Sequence, residues 1–141
     1  MIVFDTNVIS ELMKPDPDSR VADWFTRLDG NDLFTTTITE AEIRFGLVAM
    51  PQGKRRDALM AEADAMFENV LRDQVLPFDR VAAQLYGHVV IRRRAAGRPI
   101  EVADAMIAAV AATHGLAVAT RNVRDFADTG VTVLNPFDGT P

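Results

Sequence analysis

The chain of 141 residues predicts an α/β fold with a central, mainly parallel sheet and helices on both faces. Three observations predict it. Short apolar or β-branched runs alternate with longer helical patterns, the joints between them are short, and no internal repeat or low-complexity tract interrupts the order. No linker is long enough to divide the chain, so one domain over residues 1–141 is expected. At this size folding buries roughly 68–70% of the unfolded chain's surface.

The first strand is Ile2–Phe4, and a helix follows over Asn7–Met13. That helix stops at Lys14-Pro15, because the residue before proline resists the helical region. A second helix begins with Asp18 or Ser19 as N-cap and runs to about Leu28, before Asp29-Gly30. The second strand is Leu33–Thr37. A third helix opens at Thr39 and closes near Met50-Pro51, and a fourth covers about Lys54–Leu71. Two helices in succession suggest a hairpin projecting beside the sheet. A weaker strand lies around Val75–Pro77, followed by helices over Arg80–Ala96 and Glu101–His114, with Gly97 and Gly115 as stops. Strands at Ala117–Ala119 and Val131–Leu134 complete the pattern, with a short helix around Asp125 between them.

Composition excludes several classes of function. Cysteine is absent, which removes disulfides, thiol nucleophiles and cysteine zinc sites, and suits a reducing cytosol. The N-terminus lacks a basic region and has four apolar residues before Asp5, and the longest apolar run is Ala105 to Ala112. No secretory or membrane-spanning segment is expected, and a cytoplasmic location is. The net charge of −5 speaks against a generally basic nucleic-acid surface, though not against gripping phosphates through a cation. The only serines, Ser10 and Ser19, have no histidine beside them, and His88 and His114 are isolated.

Three acids stand where apolar residues are expected: Asp5 at the end of the first strand, Glu42 in the third helix and Asp104 in the sixth. Each has a structural explanation. Asp5 suits an N-cap, Thr39-x-x-Glu42 matches a capping box, and Asp104 sits near a helix N-terminus where the dipole favours negative charge. Their faces point further. Asp104 shares one with Ile107, Ala108 and Ala111, and Glu42 shares one with Phe45, Gly46 and Ala49, so both should turn toward the sheet. Three carboxylates meeting at one rim repel and call for a cation. Oxygen ligands without histidine or cysteine suit Mg²⁺ or Mn²⁺. Such an ion can polarise a phosphodiester, and hydrolysis of a nucleic-acid backbone to a 5′-phosphate and a 3′-hydroxyl is the natural reaction.

In these motifs the chain resembles PIN-domain ribonucleases of the VapC and FitB-like group, the toxins of type II toxin–antitoxin pairs. The matching residues are Asp5-Thr6-Asn7, Glu42 with Phe45-Gly46, Asp104-Ala105-Met106-Ile107-Ala108, and Thr120-Arg121-Asn122-Val123-Arg124-Asp125-Phe126, spread over nearly the whole chain. The resemblance implies a PIN-like three-layer α/β/α fold and Mg²⁺- or Mn²⁺-dependent RNA cleavage. It also implies homodimerisation and neutralisation by a small DNA-binding antitoxin. It makes Asp5 and Asp104 the main metal ligands, and Glu42 a third ligand, direct or through water, that orients the attacking water. Thr6, Asn7 and Thr120 would support the ion or its waters. Asn122 stands where many relatives carry Asp, which keeps an oxygen and loses a charge, and Asp125 is near enough to substitute.

Lys54-Arg55-Arg56 opens a helix, where cations are unfavourable, so it is a candidate for contact with RNA or a partner. Arg92-Arg93-Arg94 with Arg98 either guides phosphates or forms a solvated helix end, the latter favoured. Leu59, Met60, Met66, Phe67 and Leu71 are read as core, as a dimer surface or as an antitoxin groove. A haloacid-dehalogenase-type phosphatase needs a second acid at the place of Asn7. A receiver domain needs a late lysine, and none follows Lys54. The remaining rival is a catalytically weak PIN scaffold acting through a DNA-bound repressor complex with its antitoxin.

Overall fold

The computed structural model describes residues 1–139. At the centre of its sheet is β1 (Ile2–Phe4), whose period-two alternation sends Val3 to one face and Phe4 to the other. Then come α1 (Thr6–Leu12), α2 (Ser19–Thr26) and β2 (Leu33–Thr36). A helical pair, α3 (Thr37–Ala49) and α4 (Lys54–Ala65), leads through a wide helical turn at Met66–Val70 to β3 (Val75–Leu76). The second half comprises α5 (Arg80–Ala95), α6 (Val102–His114), β4 (Ala117–Ala119), the single turn α7 (Val123–Phe126) and β5 (Val133–Leu134).

All five strands among the described residues pair in parallel, in the order β3-β2-β1-β4-β5. Ile2 is in register with Leu33 on one side and Ala117 on the other. One layer of helices, α1 to α4, packs against Phe4 and Ala119 through Val8, Ile9, Trp24, Ile43, Phe67 and Leu71. The opposite layer, α5 to α7, meets Val3 and Val118 through Val89, Ile107, Ala111 and Phe126. This is the expected three-layer α/β/α fold. The chain winds outward from β1 through β2 to β3, crosses back, and continues through β4 to β5. Its winding therefore reverses between β1 and β4, the place where open α/β sheets form a crevice at the strands' carboxyl ends.

Local signals account for most element ends. Asp18 caps α2 through a bond from the Arg20 amide, and Gly115 ends α6 at φ 65°, a conformation glycine adopts without strain. Several boundaries shift by one or two residues from expectation, and the third and fourth helices show why. The third helix starts at Thr37, because the buried hydroxyl of Thr36 accepts the Thr39 amide at 3.1 Å and caps it two residues early. The fourth helix ends at Ala65 and widens, which turns Phe67 and Leu71 into the core. Phe67 and Leu71 are thus core, and Leu59, Met60 and Met66 are half-buried and pack against that cluster. Among the large apolar side chains left open, Phe45 and Val48 on α3 are the most exposed, at 75% and 65%. No helix of the described residues is long and apolar enough to cross a membrane.

Candidate active-site cleft

Asp5 follows β1 directly at the reversal point and is held there by the backbone. Its amide donates to Ala119 O at 2.9 Å, and its carbonyl accepts from Val8 and Ile9 as α1 begins. The side chain makes no capping bond to α1. It turns across the seam instead, where Oδ2 accepts from Thr120 Oγ1 at 2.8 Å and from Asn7 Nδ2 at 3.1 Å. Thr120 is fully buried, and its hydroxyl also accepts from Asn7 Nδ2 and the Asn122 amide. Asn7 Oδ1 in turn accepts from the Arg121 amide. Burial pushes the Asp5 carboxyl above its ordinary range. The Thr120 bond and the adjacent Thr6 amide oppose that shift, and the nearby charges of Glu42 and Asp125 add to it.

Asp104 lies in the first turn of α6, half-buried, with Ile107, Ala108 and Ala111 of the same face in the core. Burial, then repulsion from Asp5, Asp125, Glu42 and Glu101, pushes its pKa up to about 7. Asp5, Glu42, Asp104 and Asp125 line one cleft of about 420 Å³, together with Thr6, Asn7 and Asn122. The sequence-derived trio therefore meets, and both candidates for a further polar group, Asn122 and Asp125, stand at its rim.

Glu42 arrives by a different route from the one expected. The buried stripe of α3 is Thr39, Ile43 and Leu47, while Glu42, Phe45, Gly46 and Ala49 face outward. Nor is Glu42 in a capping box, since the helix is capped at Thr36. Its carboxylate is held by Thr6 Oγ1, which donates to Oε1 at 2.8 Å across 36 residues of chain.

Among the described residues no three acidic or imidazole side chains are grouped closely enough to cage an ion. The donor set is nonetheless all oxygen, and Mg²⁺ is commonly held by one or two carboxylates with waters and substrate oxygens. The cleft therefore fits an ion held directly by fewer than three of these carboxylates.

The basic candidates divide. Arg93 is buried, and its guanidinium donates to Arg98 O, Arg124 O, Ala127 O and, at 3.4 Å, Pro99 O. It is spent on the fold and is not a surface contact for RNA or a partner. Its period with Ala82 and Val89 on α5, also buried, was the available signal. Arg92 is exposed and lines a separate cavity of about 510 Å³ with His88 and Ile91. Lys54 and Arg55 are exposed, and Arg55 borders a groove with Thr6, Leu47 and Leu59 beside the acids. Arg56 is half-buried and reaches Met50 O.

Sequence reasoning missed a cationic lip on the cleft. Glu11, buried on α1, accepts from Lys14 Nζ and from Arg121 Nη2, both at 3.1 Å. The Arg121 guanidinium also lies 3.9 Å over the Phe137 ring. Glu11 and Arg121 are 110 residues apart, and no local pattern joins them.

A family profile described as the PIN domain matches residues 2–131. The chain is similar to VapC ribonuclease Y4jK of Sinorhizobium fredii, 42% identical over 138 residues, covering 98% of this chain and 99% of that one. It is likewise similar to toxin FitB of Neisseria gonorrhoeae, 36% identical over 137 residues, with 97% and 99% covered. Among solved structures, FitAB bound to a DNA fragment superimposes with a TM-score of 0.90 at 36% identity, covering 97% of this chain and 96% of that one.

Proposed function

The chain belongs to the PIN-domain family, and on that premise we propose that it is a single-domain, Mg²⁺- or Mn²⁺-dependent endoribonuclease, the toxin of a type II toxin–antitoxin pair. The observation that carries this reading is the meeting of Asp5, Glu42, Asp104 and Asp125, from four separate places in the chain, in one cleft at the reversal point of the sheet. The names of VapC ribonuclease Y4jK and toxin FitB support it.

Asp5 and Asp104 would hold the ion. When bound, the ion supplies polarisation of the phosphodiester and charge to offset the attacking oxygen. Thr120 and Asn7 hold the Asp5 carboxylate in one orientation through their bonds to Oδ2. Thr6 keeps Glu42 aimed along the cleft, where its second oxygen can orient a water and accept its proton. Asn122 and Asp125 offer further oxygens at the rim. Burial around Asp104, reinforced by the neighbouring acids, pushes its pKa up to about 7, so near neutral pH its carboxyl is partly protonated and a cation would favour the charged form.

The proposed partner is a small DNA-binding antitoxin, supported by the likeness to FitAB bound to DNA. A homodimer in the cytoplasm completes the proposal, and the open apolar face at Phe45 and Val48 supports an interface. The deciding experiment is RNA cleavage by the purified protein in Mg²⁺ or Mn²⁺, against EDTA and an Asp5→Ala variant. Products with 5′-phosphate ends, lost in both controls, are expected. Cleavage that survives EDTA or the variant overturns the mechanism, and no cleavage in Mg²⁺ or Mn²⁺ leaves the repressor scaffold as the reading.

A further inference from the structure

We propose that Arg121 is a substrate-positioning residue that grips the phosphodiester backbone as it leaves the acidic cleft, and that the depression beyond it receives the neighbouring nucleotide. The inference rests on the nuclease reading above and extends it to how a polyanion enters a cleft lined by four carboxylates.

Arg121 and Lys14 are the cations bordering that cleft. Both meet the one carboxylate of Glu11, so two positive charges share one negative charge and the lip keeps a surplus cation. Arg121 is held rather than free. One nitrogen is tied to Glu11 at 3.1 Å, the guanidinium plane rests 3.9 Å from the Phe137 ring, and its amide is fixed by Asn7. Its side chain nevertheless remains 53% exposed, and among the described residues its only side-chain hydrogen bond is to Glu11. A guanidinium carries five N–H donors in a rigid fork that matches phosphate oxygens. Fixing that fork in advance lowers the entropy lost on binding.

The position is equally telling. Arg121, Asn122 and Asp125 border the acidic cleft and also a second depression of about 540 Å³, completed by Arg124, Asn135 and Asp138. Arg121 thus forms the ridge between the two. A strand with its cleaved phosphate among the acids would pass its next phosphate over this ridge and lay a nucleotide beyond it. Asn135 and Asp138 can hydrogen-bond base or sugar edges, and Arg124 adds a second contact for the backbone.

The test measures binding apart from cleavage. A fluorescein-labelled single-stranded oligoribonucleotide is titrated in EDTA and followed by anisotropy at several salt concentrations, and KM and kcat are measured in Mg²⁺. Arg121→Ala should weaken binding about tenfold at low salt and make the salt dependence shallower by about 0.7. KM should rise with kcat little changed, the pattern of lost uniform binding. Arg121→Lys should recover the salt dependence while remaining weaker than wild type, because the charge returns without the fork. Arg124→Ala should show a smaller effect of the same sign, and Arg72→Ala, an exposed arginine outside both depressions, none. If Arg121→Ala loses its cooperative melt, Arg121→Gln, which keeps a longer polar side chain without the charge, carries the same measurements. Wild-type affinity and salt dependence in the Arg121 variants overturn the proposal. So does a loss confined to kcat, since Arg121 would then act through the acids. Wild-type protein that binds through Arg121 but cleaves no RNA sinks the nuclease reading while leaving this contact standing.

Discussion

Thr120 Oγ1 donates to Asp5 Oδ2 at 2.8 Å, joining the ends of β4 and β1 across the seam where the winding of the sheet reverses. The hydroxyl is fully used, since it also accepts from Asn7 and from the Asn122 amide. One buried side chain therefore sets the orientation of the first acid and the path of the segment that carries Arg121 and Asn122.

Replacing Thr120 by Val keeps the shape and removes the hydroxyl. The Asp5 carboxylate and the Asn122 amide each lose a partner, and an unmet buried group costs about 1–3 kcal/mol. The variant should fold, melt lower than wild type, and bind Mg²⁺ or turn over RNA about 10–100-fold less well, as supporting partners of metal ligands typically do. Calorimetric Mg²⁺ titration beside a thermal melt checks both halves. Unchanged metal affinity would show that Asp5 does not depend on this bond.

Asp104 makes stability depend on pH with a definite sign. Its pKa is pushed up to about 7, so the folded protein keeps a proton that the unfolded chain releases near its ordinary value of about 3.9. Between those values stability falls as pH rises, because the native state binds more protons than the unfolded state. In EDTA the wild-type melting temperature should drop by a few degrees from about pH 5 to about pH 8. Asp104→Asn should lack that component and melt above wild type at the higher pH. Mg²⁺ should raise the wild-type value there and leave the variant unmoved.

Glu42→Gln separates chemistry from capping. Glu42 is exposed on α3, and the helix is capped by Thr36, so the substitution should leave the melting temperature within about 0.5 kcal/mol of wild type in equivalent stability. RNA turnover should fall about 10²–10⁴-fold if the carboxylate takes the proton of the attacking water. Thr6→Val should give a milder fall of the same kind, because Glu42 remains but loses the bond that aims it. A destabilised Glu42→Gln with intact turnover would reverse the assignment.

What the sequence disclosed and what it hid follow one rule. Asp5 and Asp104 were legible because their signals are local, a strand followed by an acid and an acid on an alanine-rich helix face. Glu42 was placed on the wrong face because α3 is apolar on two sides. Ile43 and Leu47 form one stripe, and Phe45 and Val48 form the other, which lies open. Periodicity alone does not choose between two such stripes. The pairing of Glu11 with Arg121, and of Thr6 with Glu42, depends on the sheet order and had no signature within any window of the chain.

Arg93 sits between two exposed arginines, and that contrast yields the sharpest stability prediction. Its charge has no carboxylate partner within hydrogen-bonding reach among the described residues. It is compensated instead by the carbonyls of Arg98 and Pro99 before α6 and of Arg124 and Ala127 around α7. Arg93→Met fills similar space but leaves those carbonyls unmet, for a loss of about 2–4 kcal/mol. Arg92→Ala and Arg94→Ala, both exposed, should each stay within about 0.5 kcal/mol. Urea titrations measure all three. The effect should not be uniform across the molecule. Arg93 anchors the turn that begins with Asn122 and carries Asp125 at the rim of the cleft, so hydrogen exchange in Arg93→Met should quicken first at residues 122–127. Equal loss of protection throughout would mean that Arg93 supports the domain as a whole and leaves the cleft rim no less ordered than the rest.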